Sequence, residues 1–181
     1  MIEQFDTTLT ELYKRQEKDI SYEKFIKDLE KQSFIFLRSL LNIDLELPTR
    51  FGTLHSTAST PRTVKEKGRE GGSVIANFNS WVILNKQGNK VRNIERTKIS
   101  CSVLFDMTLK EFIQLVGHEM IHYYDLVSNK KWPLYHKRKF LRIMNKWNKQ
   151  LKPYNLKINS IGCNTVGKIK WESNNEDLKS L

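Results

Sequence analysis

The sequence predicts an α+β fold in one domain. Three observations carry that reading: amphipathic helical stretches at the N-terminal end, a pair of alternating segments in the middle, and a capped helix followed by a strongly basic one. Ile2, Phe5, Leu9, Leu12 and Tyr13 recur at helical spacing over residues 2–17. From about Ser21 a second helix follows, with Tyr22, Phe25, Ile26, Leu29, Leu37, Leu40 and Leu41 on its buried side. Leu45-Glu46-Leu47-Pro48 reads as an extended exit, stopped by proline.

The middle of the chain supplies the β part. Val74–Leu84 and Lys90–Phe105 read as strands joined through Lys86-Gln87-Gly88-Asn89, a hairpin signal. Ile99, Cys101, Val103 and Phe105 alternate as a half-buried strand does, and the result is a small mixed or antiparallel sheet. Residues 52–73 differ: Gly52, Gly68, Gly71, Gly72 and Pro61 among threonines, serines and charges predict a mobile loop. Thr108-Leu109-Lys110-Glu111 is a capping box, opening a helix to about Val127. Pro133 precedes a last helix, about Leu134 to Leu151, then a short strand at Leu156–Ile161 and a tail that frays after Trp171. No repeat or boundary divides residues 1–181.

Composition narrows the function classes. The cysteines, Cys101 and Cys163, form no Cys-x-x-Cys pair, which excludes a cysteine-built zinc site within the chain and disfavours a disulfide framework. No apolar run is long enough to span a bilayer, and no basic-then-apolar leader is visible, so an intracellular location without a membrane partner is expected. A formal charge of +11 favours anionic partners, nucleic acid first.

The chemistry concentrates in His118-Glu119-Met120-Ile121-His122. Histidines four apart on a helix project from one face, which suits two nitrogen ligands on one zinc ion. A carboxylate next to the first histidine can take a proton from water that attacks a carbonyl beside the metal. Catalytic zinc takes three protein ligands and keeps one position open, and His136, where the next helix opens, is the expected third. Asp125, three residues after His122, either accepts an imidazole N–H or is a plain surface carboxylate. Tyr123, Tyr124 and Tyr135 are expected to pack in the core, and His55 to lie on the surface.

The segment from His118 to Asn129 resembles the SprT-like metallopeptidases, which include the Spartan proteases. His136-Lys137-Arg138-Lys139-Phe140 is similar to that family's second block, a histidine opening a helix with a phenylalanine a few positions on. Lys137 stands where the family typically has glycine. The resemblance covers about Ile99 to Trp147; the C-terminal cysteine-rich ribbon of many bacterial members has no counterpart here. It implies a zincin-like domain consisting of a catalytic core alone, and proteolysis of DNA-associated proteins.

From Lys130 to Lys152 there are nine lysines and arginines and no carboxylate. On the helix, Arg138, Arg142, Lys146 and Lys149 share a face that suits phosphates, while Phe140, Met144, Trp147 and Leu151 share one that suits a core. With no base-reading motif present, binding is expected to be non-specific. The expectation is therefore an α+β zincin-like domain with N-terminal helices, a small sheet, the zinc helix and a basic C-terminal helix. It would act as a monomeric zinc peptidase on a protein substrate, with Glu119 as general base and nucleic acid as a second partner. The alternative is a non-catalytic nucleic-acid-binding or virion protein in which zinc is structural; an open fourth coordination position favours the enzyme, a closed site the alternative.

Overall fold

Residues 2–16, 19–54, 76–84, 90–102, 106–129 and 138–159 are described by a computed structural model. Their fold is mixed α+β: helices α1 (Leu9–Lys14) and α2 (Tyr22–Leu40), strands β1 (Arg50–Leu54), β2 (Ala76–Leu84) and β3 (Lys90–Ser102), then α3 (Leu109–Asn129) and α4 (Arg138–Leu151). Strand β3 is central in the order β1-β3-β2. It pairs in parallel with β1, Phe51 opposite Ile99, and antiparallel with β2, Phe78 opposite Ile99. Of the two expected sheet types, the mixed one is found. Thr49 extends the parallel pairing by one rung: its Oγ1 donates to the Thr97 carbonyl at 2.8 Å and accepts from the Thr97 amide at 2.7 Å. Helices α2 and α3 pack on each other and on the sheet, and α4 packs on α3. No helix among the described residues is long and apolar enough to cross a membrane.

The single helix expected over residues 2–17 is instead two pieces, a 3-10 turn at Ile2–Gln4 and α1. Long-range pairing breaks it. Thr8 forms an antiparallel bridge with Thr108, flanked by bonds from the Leu9 amide to the Met107 carbonyl and from the Leu109 amide to the Thr7 carbonyl, both 2.9 Å. Each threonine also caps its own helix. Thr8 with Glu11 forms one capping box, and Thr108 with Glu111 the other: the Thr108 amide donates to the Glu111 carboxylate at 2.9 Å. Two Thr-Leu-x-Glu boxes thus start two helices side by side.

Gly52, Thr53 and Leu54, expected to open the loop over residues 52–73, belong to β1 instead. The rest of that loop from residue 55, the hairpin turn, the start of the last helix before Arg138 and the fraying tail lie outside the described residues. Of the strand expected at Leu156–Ile161, the described residues 156–159 form no strand. After α4 a 3-10 turn over Lys152–Tyr154 and Asn155 in the left-handed region (φ 55°) reverse the chain. Leu156 and Ile158 are then buried at period two. The alternation that reads as a strand is therefore present, but Ile158 pairs with a side chain, Asn148, rather than with a neighbouring strand.

One core residue is unusual. Glu30 of α2 is fully buried and accepts the Gly52 amide of β1 at 3.2 Å. Burial pushes its carboxyl up to about 8; hydrogen bonding from Cys101 and the Gly52 amide and the charge of Lys98 offset this only in part. Since the folded value lies above the ordinary one of 4.5, folding takes up a proton between the two. Stability from this group is full below the lower value and lost as pH rises through the upper. Glu30→Gln, a neutral isostere that can still accept from Gly52, is expected to flatten that dependence. Denaturant titrations should show it more stable than wild type by about 2–4 kcal/mol above about pH 8, and little changed near about pH 4.

Candidate metal centre

His118, Glu119 and His122 lie mid-way along α3, on a helix whose start is fixed by Thr108 and Glu111. The two imidazole centroids are 5.2 Å apart, as one helical turn dictates. Phe140 of α4, itself buried, packs against both rings, 4.9 Å from His118 and 4.8 Å from His122. His118 is buried, and its Nδ1 lies 2.7 Å from the Asn159 carbonyl oxygen. A carbonyl can only accept, so Nδ1 carries the proton, and in the neutral ring Nε2 then carries the lone pair. That is the tautomer a metal-ligating histidine adopts when its other nitrogen is anchored by a carbonyl.

Glu119 is 6 % exposed. Burial pushes its carboxyl up to about 8, opposed by the Phe78 backbone N–H of β2, which donates to it. A divalent cation bound by the adjacent imidazoles would favour the ionised form of Glu119. Two imidazoles on one face of α3, His118 with its Nδ1 anchored, are donors of the type that zinc takes. Among the described residues no group of three His, Cys, Asp or Glu side chains converges on one point. His136, the expected third ligand, lies outside the described residues, as do His55 and Tyr135.

The neighbours divide clearly. Tyr123 is core, as expected: it is buried, packs against Phe34 and Phe78, and its hydroxyl donates to the Leu47 carbonyl at 3.4 Å. Tyr124 packs edge-on to Trp147. Asp125 is buried, not a surface carboxylate, and pairs with Lys139 of α4 at 2.6 Å, tying the two helices together beside the site. Gly117 admits the Leu156–Asn159 segment: a Cβ there would lie 2.9 Å from Ile158 Cδ1. The Asn159 carbonyl and the Phe140 wall were beyond sequence reasoning. A backbone acceptor leaves no residue signature, whereas Phe140 stood in the expected second block and read only as core.

On α4 the two expected faces are present. Phe140, Met144, Trp147 and Leu151 are buried, and Arg138, Arg142, Lys146 and Lys149 are exposed. Arg142 and Lys146 join Lys139 along a cleft of about 430 Å³ whose other walls include Leu41, Ile43 and Tyr124. Among the described residues no carboxylate lines this cleft, and Arg138 and Lys149 lie outside it. The chain matches no protein-family model, no curated protein and no solved structure.

Proposed function

We propose that this chain is a zinc-dependent peptidase of the SprT-like, zincin-like kind, acting on proteins associated with nucleic acid. The observation that carries the reading is the paired imidazoles of His118 and His122 beside the buried Glu119, with His118 anchored through Nδ1. His118 and His122 would hold the ion, with His136 as the third ligand. Zinc bound there would supply a Lewis acid that polarises a peptide carbonyl and makes water acidic enough to react near neutrality. Glu119 takes the proton from the attacking water and delivers it to the departing amine. Burial keeps bulk water from solvating that carboxylate, and the Phe78 amide orients it. Phe140 holds both rings in place. The cleft that carries Arg142 and Lys146, with no carboxylate among its described lining residues, supports nucleic acid as the second partner, held through phosphates.

Metal analysis of the purified protein is expected to give one zinc per chain. His118→Ala and His122→Ala should each abolish stoichiometric binding, as should His136→Ala. Full zinc in His136→Ala would remove that residue from the ligand set. Full zinc in both of the other variants would overturn the metal centre.

A further inference from the structure

Asn148 sits on α4, outside the metal centre, yet both ends of its amide bond to one backbone residue. Its Nδ2 donates to the Ile158 carbonyl at 2.8 Å, and its Oδ1 accepts the Ile158 amide at 2.7 Å. Such a two-point grip fixes a backbone segment in position and in rotation. The next residue is Asn159, whose carbonyl meets His118 Nδ1 at 2.7 Å. Ile158 is itself buried, its side chain seated where Gly117 has no Cβ. Held from one side by Asn148 and received on the other by Gly117, the segment has little freedom to carry the Asn159 carbonyl away from the imidazole.

We propose that Asn148 is a positioning residue for the metal centre. It clamps Ile158 so that the Asn159 carbonyl holds the His118 proton on Nδ1, the tautomer whose Nε2 carries the lone pair a metal takes. The proposal rests on reading His118 as a ligand, but its first consequence concerns the imidazole alone. A free imidazole favours the proton on Nε2, so the observed anchoring must override an intrinsic preference. Without the clamp, His118 relaxes towards the other tautomer, and the ligating nitrogen is blocked by its own proton.

The test uses the whole chain, stripped of metal, with ¹⁵N-labelled histidine. Ring ¹⁵N shifts are read at about pH 8.5, well above the ordinary imidazole value of about 6.5. Wild type should show His118 with its proton on Nδ1. Asn148→Ala should move His118 towards the Nε2–H form while leaving His122, which lies off the clamp, unchanged. Asn148→Asp keeps the acceptor for the Ile158 amide and loses the donor, so it should fall between the two. It also provides a near-isosteric variant should the alanine form fail to fold. Competition against a chromophoric chelator should then show zinc affinity about tenfold weaker in Asn148→Ala, the lower end of the 10–100-fold range for groups that orient a ligand. A wild-type His118 with its proton on Nε2 would overturn the proposal. So would an unchanged His118 spectrum in both variants. If wild type shows the Nδ1–H form but takes up no zinc, the metal reading fails while the clamp stands.

Discussion

Glu119→Gln is expected to bind zinc as wild type does and to lose peptide hydrolysis by about 10²–10⁴-fold, the usual contribution of a general base. Glutamine fills the same volume and can still accept the Phe78 amide, but it cannot take a proton near neutrality. Replacing a buried ionisable group by a neutral isostere also relieves desolvation, so the fold should not suffer. The measurement is cleavage of an unstructured protein substrate, with zinc content determined on the same samples. Wild-type cleavage by a zinc-loaded variant would show that another group handles the proton. A variant without zinc would place Glu119 in the ligand set instead.

Reversal of Arg142 and Lys146 to glutamate is expected to weaken single-stranded DNA binding uniformly across sequences. Both side chains are exposed on the cleft that Lys139 shares. Each phosphate contact on a single strand contributes roughly 0.7 to the slope of log affinity against log salt, so loss of two contacts should flatten it by about 1.4. Arg138→Glu with Lys149→Glu, outside the cleft, should have the smaller effect. Fluorescence anisotropy over a salt series reads both quantities. Binding that ignores salt, or ignores the cleft reversal, would leave the +11 charge as a solubility feature.

What could be read from the sequence was what local rules control. The Thr108–Glu111 box, the shared face of His118 and His122, and the buried band of Phe140, Met144, Trp147 and Leu151 each depend on residues within a few positions of one another. What escaped depends on distant partners or on backbone. Glu30 lies on the same face of α2 as Ile26, Ser33 and Leu37, but a search for apolar periodicity passes over a carboxyl, whatever covers it. β1 is short and contains a glycine, and its strand character comes from parallel pairing with residues 98–102. The His118 acceptor is a main-chain oxygen 41 positions away.

The bridge between Thr8 and Thr108 bears on how the chain is made. Phe5, Leu9 and Thr10 leave the ribosome early, but Thr10 bonds to Asp106, a residue 96 positions later, and Lys110 donates to the Phe5 carbonyl. At translation speeds of about 5–20 residues per second, the early segment waits roughly 5–20 s for its partners. During that interval Phe5 and Leu9, both buried in the finished fold, are available to chaperones and to other nascent chains. The histidine-bearing helix depends in turn on a segment synthesised long before it, so a chain trimmed beyond Thr10 would leave that helix to begin without its neighbour.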